Sequence, residues 1–308
     1  MKHIIRLFLL VTLTLGVKAD TVTYMKQMVT GRNVYAPCVI HDPQDGKYKM
    51  WYGGWQNSNN VPKDDIWYRE STDGTNWTTS PIKVIDHATL GMYHVNDPTV
   101  IKAWNAVLHT NMYWIYFTAI ACDPNTCDIT NHHIWAASGF DGKNWGAYTK
   151  VIDGYNGAGV FAPSVVSIDP TNGEFWLYYQ ITGVADRIIL TKLQGGTTVT
   201  TTEEVFVSPQ DGAHNPDVSI LPDGTWSMCY NRINTNNVFN IWRLTSTNGT
   251  YWTNDHEVLD SGCTPFCVAQ TPNQRWVDTN HYWLYYGLDE SITNPSAEIH
   301  GWYMQATP

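Results

Sequence analysis

The chain has 308 residues and a formal net charge of −10, with only 15% charged side chains. A chain so acidic and so poor in Lys and Arg lacks the cationic surface that phosphate backbones require, which excludes nucleic acid as a partner. An apolar content of 43% supports a packed core and excludes a disordered segment, and the length suits one large β domain.

Residues 1–19 read as a signal peptide. Lys2 and Arg6 precede the apolar run 7–15, and Val17-Lys18-Ala19 supplies a small-residue cleavage pattern. The run is too short to span a bilayer, so no membrane span is expected. Cleavage near Ala19 would leave residues 20–308 as a single domain, secreted or periplasmic. Six cysteines follow: Cys38, Cys122, Cys127, Cys229, Cys263 and Cys267. An even number in an exported chain favours disulfides, and Cys122 and Cys127 flank a DPNT turn short enough to join them. The connectivity of the six stays open. Neither a CxxC pair nor HExxH occurs, so zinc has no support.

From there the chain repeats itself five times. A proline after a small or polar residue opens a β-rich run in YAPCVI (35–40), NDPTVI (96–101), FAPSVV (161–166), HNPDVS (214–219) and CTPFCV (263–268). Each copy is followed by an aromatic strand: YKMWYGGW, MYWIYFTA, FWLYYQIT, TWSMCYNR and YWLYYGLD. Third strands follow as DIWYRES, HHIWAAS, RIILTKL, FNIWRLTS and EIHGWYMQ, and fourth strands as PIKVID, TKVID, EEVFVS and HEVLD. Alternation, β-branched and aromatic enrichment and Gly turns indicate antiparallel strands, with few helices. Four-stranded units of roughly 50 residues predict an all-β fold, a five-bladed β-propeller. The fifth copy lacks an outer strand, and VTYMKQMV near the mature N-terminus is expected to supply it and close the ring.

Propeller topology sorts the loops into two faces. The turns carrying Asp45, Asp73, Asp141 and Asp223 fall on one of them, where short acidic side chains bond nearby backbone N–H groups. The functional mouth is expected on the other, built from residues before each repeated Pro: Arg32, Asn33, Tyr35, His94, Asn96, Asp97, Phe161, His214, Asn215 and Thr264. Loops between second and third strands add Trp55, Asp123, Asp128, Asp186, Arg187, Arg232, Asp289, Glu290 and Glu298. Rings that cover the C–H face of a sugar, beside short polar groups that fix its hydroxyls, point to carbohydrate as the partner of a monomeric protein.

The repeats resemble the five-bladed propeller glycosidases: arabinanases, xylosidases, invertases, neoagarobiose hydrolases and mannoside phosphorylases. The resemblance is carried by HVNDPTVIK (94–102) before MYWIYFTA, by APCVIHDPQDGKYKMWYGGW (36–55), by FAPSVV and by the S-T-D-G-x-x-W strand ending. It implies a base or nucleophile at the Asp that begins an innermost strand, a place Asp97 matches. It also implies a second Asp two blades on, where Asn215 stands and Asp217 is displaced by two. The implied acid is a Glu opening the next blade, where CTPFCV has Thr264. Hydrolysis generally needs a group to protonate the leaving oxygen and another to activate water. The acid is then sought at Glu290 or Asp186 on neighbouring loops, or at His214, since neoagarobiose hydrolases use a His. Substrate contacts are expected from Tyr35, Trp55, His94, Asn96, Phe161, Asp186, Arg187, Asn215, Asp217 and Arg232. No cofactor is expected; such folds can hold a channel cation such as calcium, but no spacing here marks one. The reading is a secreted glycosidase acting on a polysaccharide or oligosaccharide. The alternative is a catalytically degenerate propeller that binds glycans or a surface partner.

Overall fold

The computed structural model describes residues 20–30, 33–54, 63–105, 108–123, 128–169, 171–181, 187–208, 212–233, 238–259, 268–289 and 298–306. The expected signal peptide lies outside them. After β1 (Thr21–Val29) the first blade comprises β2 (Val34–Asp42), β3 (Lys47–Gly54), β4 (Asp65–Ser71) and β5 (Ile82–Ile85). The second has β6 (His94–Asn105), β7 (Thr110–Ile120), β8 (His132–Gly139) and β9 (Thr149–Ile152). The third has β10 (Val160–Asp169), β11 (Glu174–Ile181), β12 (Arg187–Gln194) and β13 (Thr198–Val207). The fourth has β14 (His214–Ile220), β15 (Trp226–Ile233), β16 (Phe239–Ser246) and β17 (Thr253–Leu259). The fifth has β18 (Val268–Trp276), β19 (His281–Asp289) and β20 (Glu298–Gln305), and β1 pairs antiparallel with β20 as its outer strand. The first and last strands thus share one sheet, as the missing outer strand implied. Among the described residues the helical structure is a single 3-10 turn, Ile129–Asn131, and no helix is long and apolar enough to cross a membrane.

First strands form the inner ring: β2 packs on β6, β6 on β10, β10 on β14, β14 on β18, and β18 on β2. Each carries a β-bulge at its proline, between Tyr35 and Cys38, Asn96 and Thr99, Phe161 and Ser164, His214 and Asp217, and Gln270 and Asn273. The residue before each proline, namely Ala36, Asp97, Ala162, Asn215 and Thr271, has φ between 49° and 52°. Five L-residues in the left-handed region each store local strain, and a bulge of this kind re-aims the side chain beside it.

This five-fold regularity corrects the fifth repeat. Its proline is Pro272 in QTPNQ, on β18, whereas CTPFCV ends where β18 begins and residues 260–267 lie outside the described chain. The residue sought at Thr264 is therefore Thr271. Hydrogen bonds settle the register. Side chains just after each proline accept the backbone N–H of the next blade: Cys38 Sγ from Val100 (3.2 Å), Thr99 Oγ1 from Val165 (3.2 Å), Ser164 Oγ from Val218 (2.9 Å), Asp217 Oδ2 from Gln274 (2.7 Å) and Asn273 Oδ1 from Val39 (2.9 Å).

The aromatic second strands fill the space between blades and also tie them together. Trp51 Nε1 donates to the Gly142 carbonyl of the next blade, Tyr116 to Gly196, Tyr178 to Gly249 and Tyr285 to Gly74. Most of the Trp and Tyr excess is thereby structural. Asp45, Asp73, Asp141 and Asp223 each accept local backbone N–H groups in their turns. The expectation that the cysteines pair throughout is corrected at two positions: Cys38 and Cys229 are free, buried thiols. Burial pushes the Cys38 thiol up to about 12, so it serves as a small apolar side chain with a weak acceptor. Cys122 is disulfide-bonded; Cys127, Cys263 and Cys267 lie outside the described residues.

Candidate functional site

A cavity of about 310 Å³ opens at the end of the ring where first strands begin. Its lining comes from the starts of first strands (Tyr35, Asn96, Asp97, Phe161, His214, Asn215, Gln270, Thr271), the ends of second strands (Thr118, Ile120, Gln180) and the starts of third strands (His132, Phe239). Among the described residues, no Lys or Arg lines it. Deeper in, the five prolines with their flanking residues narrow the axis to a space of about 30 Å³, room for roughly one water.

Among the described residues Asp97 is the carboxyl that lines the wider cavity, while Asp217 joins it only in the narrow space below. The left-handed backbone and bulge at Asp97 turn it inward, and Thr118 Oγ1 donates to its Oδ2 at 3.1 Å. The same hydroxyl accepts the Ala162 N–H at 2.9 Å, which fixes its orientation. Burial raises the Asp97 pKa to about 6, against smaller lowering by the Thr118 hydroxyl and by the Ala162 N–H, which also faces the carboxyl.

Second-strand ends supply buried amides that hold the neighbouring first strand. Gln180, 2% exposed, accepts the Asn215 N–H on Oε1 at 2.6 Å and presents Nε2 to His214 Nδ1 at 3.0 Å. Asn231 Oδ1 accepts the Thr271 N–H at 2.8 Å and the Asn215 amide at 3.2 Å. Since Gln180 donates to Nδ1, the assigned proton of His214 sits on Nε2. Burial lowers the pKa of His214, and protonating Nδ1 would set two donors against each other. His214 is thus built as a neutral donor rather than a proton source. Its ring packs edge-on to Phe239 at 5.3 Å, and Phe161 and His132 pack at 5.7 Å beside it on the cavity wall.

Sequence reasoning passed over a buried carboxyl close to Asp97. Asp64 precedes β4, the place Asp186 holds before β12, and is 3% exposed. Its Oδ2 accepts the hydroxyl of Tyr35, with the Asn96 amide 3.5 Å away, while its N–H donates to His94 Nδ1 at 3.1 Å. Burial and the nearby Asp97 charge raise its pKa to about 7, although the Tyr35 hydrogen bond works against them. His94 lies behind this carboxyl, 5% exposed and outside the cavity lining, with its pKa lowered to about 4 chiefly by burial.

The remaining expected site residues stand elsewhere. Asp217 is a ring strut below the mouth, accepting from the Gln274 N–H and from Asn273 Nδ2 at 2.9 Å. Arg187 pairs with Glu204 at 2.8 Å, a third-to-fourth-strand contact. Arg232 is buried against Asp255 at 2.8 Å with its guanidinium 3.6 Å from the Trp242 ring centre. Neither arginine lines the cavity. Trp55, Asp186 and Glu290 fall outside the described residues. Asp65, Asp86 and His87 converge away from this cavity, but Lys83 already supplies a cation there, 2.8 Å from Asp65.

No protein family matches the sequence, and no curated protein does. Solved structures do. An α-L-arabinofuranosidase from Podospora anserina, solved with cellotriose, superposes with a TM-score of 0.64 at 12% identity, covering 94% of this chain and 97% of that one. An exo-1,5-α-L-arabinanase from a bovine ruminal metagenomic library gives 0.62 at 11% identity, covering 88% and 93%. A protein of unknown function from Dyadobacter fermentans gives 0.61 at 13% identity, covering 94% and 100%.

The chain has the fold of the five-bladed propeller glycoside hydrolases.

In this five-bladed fold the mouth carries Asp97 as its lining carboxyl among the described residues, with Asp64 behind the Tyr35 side chain. The fifth blade offers Thr271, whose hydroxyl accepts the Ala36 N–H at 2.9 Å, so that place is structural. Sequence signals for the missed residues existed. Thr118, Gln180 and Asn231 align as polar residues inside aromatic second strands, and a polar side chain at a fully buried position needs a partner.

Proposed function

We propose that the protein is a glycosidase acting on a neutral polysaccharide or oligosaccharide, with Asp97 as the base that activates water. The observation carrying this reading is Asp97 itself, a half-buried carboxyl whose pKa is raised to about 6 at the wall of a cavity lined by rings and amides. A carboxyl tuned toward neutrality is ionised at working pH yet basic enough to take a proton in the transition state. Phe161, Phe239 and Tyr35 offer apolar faces, while the amides of Asn96, Asn215 and Gln270 offer hydrogen bonds, as a polyhydroxylated ligand requires. The lack of Lys and Arg in the described lining favours uncharged sugars over uronic acids or phosphosugars. Similar solved structures that include an arabinofuranosidase and an arabinanase support the reading at the level of the fold. Export through the residues 1–19 signal belongs to the same proposal, because polysaccharides lie outside the cell.

The test is a hydrolysis screen of purified chain 20–308 against neutral polysaccharides and aryl glycosides, with binding measured in parallel. Turnover of at least one glycan is expected, and Asp97→Asn should lower it by about 10²–10⁴-fold while sparing binding. Unchanged turnover in that variant removes Asp97 from the chemistry. Binding without cleavage across the panel favours the degenerate, glycan-binding propeller.

A further inference from the structure

We propose that Tyr35 and Asp64 form a proton relay that acts as the acid of this site, with the Tyr35 hydroxyl meeting the glycosidic oxygen. The proposal rests on the glycosidase reading above. Tyr35 lines the cavity beside Asn96 and Asp97, and its hydroxyl is bonded to Asp64 Oδ2 while accepting Asn96 Nδ2 at 3.2 Å. Asp64 does not line the cavity, so it can act on a ligand there only through Tyr35. Its backbone is clamped, the N–H to His94 and the carbonyl to the Val95 N–H at 3.1 Å. Among the described residues Oδ1 is buried with no hydrogen-bond partner, and no Lys or Arg pairs with this carboxyl.

An ionised carboxylate would leave charge on that unpartnered oxygen; a protonated one leaves a carbonyl, which costs far less to bury. Burial and the neighbouring Asp97 charge accordingly raise the Asp64 pKa to about 7, which favours its protonated form. The acid role falls to Asp64 by position, since Asp97 lines the cavity as the base and Asp64 reaches it through Tyr35. Tyr35 alone is a poor acid, because burial and both carboxyls push its pKa well above the usual phenol value. Coupled to Asp64 it need never become a phenolate. With a ligand in place the Tyr35 hydroxyl turns from Asp64 Oδ2 to the glycosidic oxygen, and the protonated Oδ2 donates to the Tyr35 oxygen in its stead. As the glycosidic C–O bond breaks, the Tyr35 proton passes to the leaving oxygen and the Asp64 proton passes to the Tyr35 oxygen. Water adds to the anomeric carbon and gives its proton to Asp97. Tyr35 ends neutral, Asp64 ends as a carboxylate and Asp97 ends protonated; solvent exchange returns the pair to its starting state.

Leaving-group dependence tests this. On a sugar the wild type cleaves, Tyr35→Phe and Asp64→Asn should each lower kcat by about 10²–10⁴-fold with an alkyl leaving group, yet come within about tenfold of wild type with dinitrophenol, which departs unprotonated. Asp97→Asn should lose both substrates. The wild-type rate should fall above about pH 7, and both relay variants should lack that fall. Equal losses on both leaving groups, or an unaltered alkaline limb, overturn the relay while leaving the glycosidase reading in place. A readout independent of turnover is the carboxyl carbon NMR titration of Asp64, assigned with Asp64→Asn. A midpoint near 7 that moves up in Tyr35→Phe is expected, since the hydroxyl stabilises the carboxylate. An ordinary carboxylate midpoint, or one that Tyr35→Phe leaves unmoved, overturns the pairing. Absence of any wild-type turnover instead defeats the glycosidase reading and, with it, the relay's chemical role.

Discussion

The side-chain oxygen of Asn273 accepts the backbone N–H of Val39 at 2.9 Å, joining the inner strand of the last blade to that of the first. It is the fifth member of a ring in which each blade's post-proline side chain holds the next blade's backbone. Asn273 also donates to Asp217 at 2.9 Å, so one residue serves two of the five joints. Asn273→Ala would leave a buried N–H without its acceptor, at a cost of about 1–3 kcal/mol. Urea unfolding should show a lower midpoint with an unchanged slope. Thr99→Val, which breaks one joint, should cost less. A loss for Asn273→Ala no larger than the ~0.5 kcal/mol typical of surface substitutions would mean that the ring bonds do not hold the blades together.

Closure has a second fastening at Asp20, which immediately precedes β1. Its Oδ1 accepts Arg243 Nη2 at 2.9 Å and its Oδ2 accepts the Tyr282 hydroxyl at 2.7 Å, binding the N-terminal strand of the fifth blade to the fourth. Arg243 is 2% exposed. Asp20→Ala withdraws a carboxylate from a buried guanidinium and should destabilise by about 3–5 kcal/mol, whereas a balanced replacement of both partners would cost less. Calorimetry of the two single variants and the double variant checks this. Additive losses would argue against direct coupling.

The blades were legible because propeller packing repeats in sequence: aromatic second strands, Gly turns and an inner-strand proline recur at each copy. The fifth proline was misplaced because CTPFCV looks more like the earlier copies than QTPNQ does. What distinguishes QTPNQ is Asn273, whose partner Val39 is far away in the chain. Asp97 was readable from its Asp-Pro step. Asp64 was not, since nothing local marks it: its burial, its Tyr35 partner and its shifted pKa arise only when the first two blades meet. Arg187 and Arg232 show the converse error. Their loop positions suggested a ligand, but each has an acidic partner on the neighbouring strand that the pattern of one strand could not reveal.

Asp217 makes a prediction about pH. Burial raises its pKa to about 7, only partly offset by its hydrogen bonds from Gln274 and Asn273. Unfolded, it titrates near the usual ~3.9. The folded state therefore binds the proton more tightly, and this contribution to stability is full below about pH 4 and is lost as pH rises toward 7. Over that window the slope is about 1.4 kcal/mol per pH unit. His94 and His214, with lowered pKa values, act in the opposite sense, so the wild-type curve alone does not isolate Asp217. The difference between wild type and Asp217→Asn does: it should decline from pH 4 to 7 and be flat above. A flat difference throughout would show that Asp217 is ionised in the folded protein.

His214 is placed by a glycine. Gly212 has φ +93°, and a Cβ there would lie 2.8 Å from His214 Nε2 and Cδ2, so only glycine leaves the ring its position. Gly212→Ala should cost about 1–2 kcal/mol from the left-handed backbone alone. It should also weaken glycan binding by displacing the imidazole between Phe239 and Gln180. The proton on Nε2 makes a sharper claim. Nitrogen NMR at pH 6–8 should show a neutral ring protonated at Nε2, and glycan affinity should not follow an imidazole titration in that range. Among the described residues its Nε2 is buried against Gly212 with no hydrogen-bond partner, so a charge on the ring would have nothing there to stabilise it. An imidazolium signal at pH 7 would contradict the Gln180 hydrogen bond as assigned and return His214 to candidacy as the acid. The neutral form leaves that task to the Tyr35–Asp64 pair on the opposite flank of Asp97.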